Sequence, residues 1–125
     1  MKWSETTASK CRYGDVAERI WGDWNILWEN SEDDYQGYAQ ILAEKDGIYC
    51  FYEWSYGSCS GYDTWESEDL NAEQIITEMR ETALWLSNKE KLKAWLGMLE
   101  ETEETPKAGN KIFAIRKQLG FKVEG

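Results

Sequence analysis

Hydrophobic positions along the chain change period, and each change marks an element. Tyr13, Val16, Ala17, Ile20, Trp21 and Trp24 recur at helical spacing, which predicts a short helix over about 15–22 with Asp15 as its N-cap. Gly22 and the alternation Trp24, Ile26, Trp28 then predict a break followed by a strand.

From Tyr35 to Tyr56 the alternation is that of a β-hairpin turning at Asp46-Gly47, a pair that supplies the positive φ angles of a tight two-residue turn. The turn sets Lys45 opposite Ile48. One face then pairs Ala43 with Cys50, Ile41 with Tyr52, Ala39 with Trp54 and Gly37 with Tyr56, small against large, as a packed cross-strand face requires. We read this face as core. The other face carries Glu44, Leu42, Gln40 and Tyr38 opposite Tyr49, Phe51, Glu53 and Ser55 and is read as amphipathic and partly exposed.

After a loop over 57–69 the period returns to that of a helix. Leu70 staples onto Ile75, Asn71 caps, Gln74 reaches back, and the apolar face continues through Ile76, Met79, Ala83 and Leu86. Ser87 or Asn88 caps a second helix whose Leu92, Trp95, Leu96 and Leu99 share one face, and Thr105-Pro106 stops it. Residues 107–110 read as a linker. Lys111 to Leu119 read as a basic last helix ending at Gly120.

The fold expected is α+β in a single domain over 1–125. A three-stranded antiparallel meander carries a short N-terminal helix and two to three C-terminal helices packed on one face, with 1–12 a flexible N-terminus.

Composition narrows the function classes. The chain has 125 residues, enough for one core without disulfides or metals. Its 8 Trp and 7 Tyr supply large surfaces to bury. Three cysteines at irregular spacing, Cys11, Cys50 and Cys59, form no disulfide framework and suit a reducing compartment. No apolar run approaches a membrane span and the opening residues lack a signal-peptide pattern, so a cytoplasmic protein is expected. Histidine is absent, which removes the commonest general base and every Ser-His or Cys-His nucleophile pair.

Net charge is −10, with residues 1–106 carrying 23 acidic against 9 basic side chains and residues 107–125 carrying 1 against 5. An acidic body repels nucleic acid and is steered toward basic surfaces. The partner expected is a protein or nucleoprotein with a basic surface, bound without direct nucleic-acid contact by the main domain and without a membrane.

The most distinctive run is Glu53-Trp54-Ser55-Tyr56-Gly57-Ser58-Cys59-Ser60-Gly61-Tyr62-Asp63-Thr64-Trp65-Glu66, preceded by Asp34-Tyr35-Gln36-Gly37. Over residues 24–66 the chain resembles a family of small, functionally uncharacterised proteins of bacteriophages and bacteria with the pattern D-Y-x-G, a hairpin, then W-x-Y-G-S-C-S-G-C-D. The resemblance implies a phage origin and, by analogy with other small acidic phage proteins, inhibition of a host defence factor, anti-CRISPR activity included. Tyr62 stands where that pattern has a second cysteine, so no local Cys-x-x-Cys redox or zinc half-site forms.

The loop itself reads two ways. Gly57 and Gly61 permit tight turns, with Ser58 and Ser60 bonding the backbone and Cys59 a small buried hydrophobe. Alternatively, Gly57, Ser58, Cys59, Ser60 and Gly61 expose backbone N–H groups as a nest for phosphate or carboxylate, flanked by Tyr62 and Trp65. Cys59 lacks the base or cation a nucleophile needs. Glu53, Asp63, Glu66 and Glu68 are carboxylates available to acid–base chemistry or a divalent cation, and read most simply as solvated. No cofactor, metal or catalytic set is therefore expected, and we read the chain as a non-enzymatic inhibitor that blocks a host macromolecule. Its expected contact surface is the Glu29, Glu32, Asp33, Asp34 loop, the hairpin face with Tyr38, Tyr49 and Glu53, and Tyr62, Asp63, Trp65 and Glu66. The competing reading is a nucleotide or other small-ligand binder built on the Ser-Cys-Ser-Gly loop.

Overall fold

The computed structural model describes residues 1–33, 37–57 and 64–102. In chain order these form two 3-10 turns, Trp3–Glu5 and Ala8–Lys10, then α1 Gly14–Trp21, β1 Asn25–Glu32, β2 Gly37–Lys45, β3 Ile48–Tyr56, α2 Thr64–Ser67, α3 Ala72–Thr82, β4 Leu84–Leu86 and α4 Lys89–Thr102. The expected last helix over 111–119 lies outside the described residues. No described helix is long and apolar enough to cross a membrane.

The hairpin follows from local chemistry. Asp46 at φ 53° and Gly47 at φ 82° make the two-residue turn, whose backbone twist matches the right-handed twist of the strands it joins. Every pair expected from that turn is present, from Lys45–Ile48 to Gly37–Tyr56. β1 adds antiparallel to β2, with a bulge between Ile26 and Trp28. The bulge sends Ile26 to one face beside Ala43 and Trp28 to the other beside Leu42, although the alternation in sequence had put them on the same side.

Among the described residues the sheet has four strands in the order β1-β2-β3-β4, not three. Leu84-Trp85-Leu86, expected to finish a helix, pairs with Phe51, Cys50 and Tyr49. α3 opens as expected, Asn71 Oδ1 accepting from the Gln74 N–H and Gln74 Oε1 from the Asn71 N–H, both at 2.9 Å. It stops at Thr82 because strand pairing sends Leu86 to one core and lets Trp85 stack over Trp21 at 6.3 Å on the other.

Helices cover both faces, a second correction. Val16, Ala17, Ile20 and Trp21 of α1 and Ile75, Ile76 and Met79 of α3 bury the Ala39, Ile41, Ala43, Cys50, Tyr52, Trp54 face. Leu92 and Leu96 of α4 pack with Trp28, Leu42 and Leu86 on the opposite face, where α4 is capped by Asn88 Oδ1 accepting from the Lys91 N–H at 2.9 Å.

Residues 1–12, expected to be flexible, are built into the larger core through Trp3, Ala8 and Cys11. Met1 bonds Ile26 in both directions at 2.7 and 2.8 Å, closing part of the outer edge of β1.

Candidate functional site

The sheet face that α4 packs against is apolar at one end and polar at the other. Across the three long strands Asn30, Gln40 and Glu53 stand in one row, and Glu32, Tyr38 and Ser55 in the next. The first row is a ladder: Asn30 Nδ2 donates to Gln40 Oε1 at 2.9 Å, and Gln40 Nε2 to Glu53 Oε2 at 2.8 Å. Glu32, Glu53 and Ser55 are exposed, and Asn30, Tyr38 and Gln40 half-buried. The ladder orients the Glu53 carboxylate without neutralising it, since both donors along the row are amides. Glu32, Tyr38 and Glu53, expected as contact residues, are thus brought onto one surface.

The other expected contact residues are not. Glu29 lies on β1, not in a loop, and its side chain faces the larger core. There its two carboxylate oxygens accept from the Thr7 and Ala8 N–H groups at 2.8 and 3.0 Å, clamping the N-terminal segment. Asp33 accepts from the Tyr56 hydroxyl at 3.0 Å. Tyr49 packs against the core beneath α4 and is half-buried, so that end of the hairpin face is covered. Trp65 packs edge-on against Tyr13 at 4.8 Å and donates to Glu78 Oε2 at 2.8 Å, on the α1–α3 side. Glu66 pairs with Arg12 at 3.2 Å. Asp34, Ser58, Cys59, Ser60, Gly61, Tyr62 and Asp63 lie outside the described residues.

Where the distinctive motif is described, it is scaffold around Arg12. Trp54 Nε1 donates to the Arg12 carbonyl at 2.9 Å, Arg12 Nη1 donates to the Gly57 carbonyl at 3.1 Å, and the guanidinium lies 5.7 Å from the Tyr56 ring centre. Burial, then hydrogen bonding with Cys11 and Asp33, holds the Tyr56 phenol above its ordinary range. Arg12 gave no signal in the sequence because its partners lie 42 to 54 residues away.

Gly37 belongs to the same knot. A Cβ there would run into the Tyr56 hydroxyl and come within 2.6 Å of the Glu32 carbonyl. Gly37→Ala is therefore expected to cost about 1–3 kcal/mol in urea unfolding, and Tyr56→Phe should not rescue it, since the ring carbon Cζ and, at 2.6 Å, the Glu32 carbonyl still crowd the added methyl. A neutral Gly37→Ala would contradict this packing.

Burial disfavours the thiolate at both described cysteines. Burial pushes Cys50 up to about 12, against the opposing effect of the Trp21 indole beside it. Cys11 is also raised, first by burial and then by Asp33 and Glu29 against the Tyr56 hydrogen bond. Among the described residues no three His, Cys, Asp or Glu side chains gather to hold a metal ion.

Compared with models of protein families, with curated proteins and with solved structures, the chain matches none.

Proposed function

We propose that this chain is a non-enzymatic, acidic interaction protein that occupies a basic surface on a partner macromolecule. Tyr38 is its anchor, with Glu32 and Glu53 the charges beside it. The observation that carries the reading is the convergence of these three side chains, from three strands, on an exposed half of a sheet face. A tyrosine rimmed by carboxylates gives a rigid contact of low entropy cost plus long-range steering toward positive charge. The α2–α3 stretch adds to that field, since residues 64–82 hold six carboxylates, two of them paired with Arg12 and Arg19, against Arg80. In the phage setting that the loop resemblance implies, such a partner is a defence nucleoprotein whose nucleic-acid channel the acidic face blocks.

The test is capture from bacterial lysate on immobilised protein, eluted in steps of salt. Tyr38→Ala is expected to weaken retention of the specific partner by about 30-fold, the equivalent of about 2 kcal/mol for an anchor residue. Paired Glu32→Gln and Glu53→Gln should shift elution to lower salt while leaving the melting temperature unchanged. A partner retained equally by all variants and at all salt concentrations would refute the assignment.

A further inference from the structure

The free edge of β3 points to how the acidic face is used, and the inference rests on the interaction reading above. In a hairpin closed by a two-residue turn, the residues flanking the turn exchange backbone hydrogen bonds, and every second pair does so thereafter. Lys45–Ile48 is the flanking pair, so Tyr52, Trp54 and Tyr56 bond to β2. Tyr49, Phe51, Glu53 and Ser55 aim their N–H and C=O groups at the opposite edge. β4 covers Tyr49 to Phe51 and no more. Glu53 and Ser55 therefore point four backbone groups past the start of β4, where no described strand pairs with them. Both residues are exposed.

A cleft of about 290 Å³ opens at that place, lined by Phe51, Tyr52, Glu53, Thr82 and Leu84. Its walls are the last turn of α3 and the first residue of β4, so an added strand would lie in line with β4 and abut Leu84. The site is negative: the charges of Glu78 and Glu53 both act on the Tyr52 hydroxyl, which burial first of all pushes up to about 12. An acidic, unpaired strand edge selects an extended segment with cationic side chains. A second copy of this chain would instead bring two Glu53 carboxylates onto one face of the joined sheet, with no cation between them.

We propose that the partner supplies an extended segment bearing lysine or arginine, which adds antiparallel to β3 at Glu53 and Ser55 as a continuation of β4. Backbone pairing holds it, and its alternate cationic side chains share one face of the added strand, the face on which Glu53 stands.

Amide exchange and chemical shifts by NMR test this, with an acetylated octapeptide of alternating valine and lysine as probe. In the free protein the Glu53 and Ser55 amides are expected to exchange rapidly while those of Tyr52 and Trp54 are protected. Added peptide should slow the first two and shift their resonances saturably. The same peptide N-methylated at two adjacent central residues loses an N–H from each edge and should bind about tenfold more weakly. Protection of Glu53 and Ser55 in the free chain would overturn the proposal, because the edge would already be occupied. Equal binding of the two peptides, with shifts confined to Glu32 and Tyr38, would overturn the added strand and leave the acidic contact face standing. No shift with either peptide would also overturn the added strand, and Tyr38→Ala in the lysate capture would then decide the broader reading by itself.

Discussion

Trp21→Ala is expected to destabilise the protein by about 3–5 kcal/mol, the range for emptying a large aromatic site in a packed core. Trp21 is 0 % exposed, with its ring 5.1 Å from Tyr52 and 6.3 Å from Trp85 in stacked geometry. It thereby ties α1 to β3 and to β4, and the void left by alanine lies between elements that cannot close on it independently. Domains of this size have total stabilities of about 5–15 kcal/mol, so the loss is a large share. A fall in melting temperature of about 10–20 °C is the corresponding thermal signature. Trp21→Phe separates ring from volume. The buried indole N–H has no hydrogen-bond partner of standard geometry and faces the Cys50 thiol, a weak acceptor, so phenylalanine gives up little there and the smaller ring should cost far less than alanine. Equilibrium unfolding in urea measures both. A cost under about 1 kcal/mol for alanine would mean that the stacked core is not what holds α1.

The parts of the fold legible in the sequence are those whose cause is local. Asp46-Gly47 specifies its own turn, and from that turn the pairing of β2 with β3 follows residue by residue. Asn71 and Gln74 announce the start of α3 because both bonds of the capping box lie within four residues. What was not legible depends on distant partners. Leu86 fits the helical spacing of Ile76 and Met79 and fits a strand equally well. Pairing with Tyr49 decides for the strand, and no local residue encodes that choice.

The candidate site divides in the same way. Tyr38 and Glu53 were placed on a common face by hairpin register alone. Glu32 joins them because a single bulge residue in β1 shifts which side chains turn to that face. Without the bulge, Glu32 would face the larger core and Glu29 the open surface. Glu29 is expected on the contact surface because acidic residues near a chain reversal normally stay in water. Here two backbone N–H groups of the N-terminal segment claim its carboxylate. The same clamp helps hold residues 1–12: Glu29 and Met1 fasten the segment to β1, Trp54 holds its Arg12 end, and Trp3, Ala8 and Cys11 are buried between.

Leu96→Ala is the second large effect, about 2–5 kcal/mol, and its pattern should differ from that of Trp21→Ala. Leu96 is 0 % exposed within a cluster of five buried residues, Trp28, Leu42, Leu86, Leu92 and Leu96, that the sheet separates from the larger core. Removing its side chain weakens α4 without touching the contacts of α1 and α3. A small satellite core behind one helix opens locally at lower free energy than the whole domain. Amide exchange is therefore expected to accelerate first in α4 and in β4, while Ile41 and Ala43 in β2 keep their protection. Trp21→Ala should instead lower protection throughout. The difference bears on the binding edge, because Leu86 of β4 lies in the same cluster and β4 sets where the β3 edge becomes free. Undocking α4 should loosen β4, lengthen the unpaired stretch of β3 toward Tyr49, and raise the aggregation tendency of the chain as that edge is exposed. Uniform loss of protection in both variants would mean that the two faces of the sheet unfold as one cooperative unit, and the separate role given to α4 would fail.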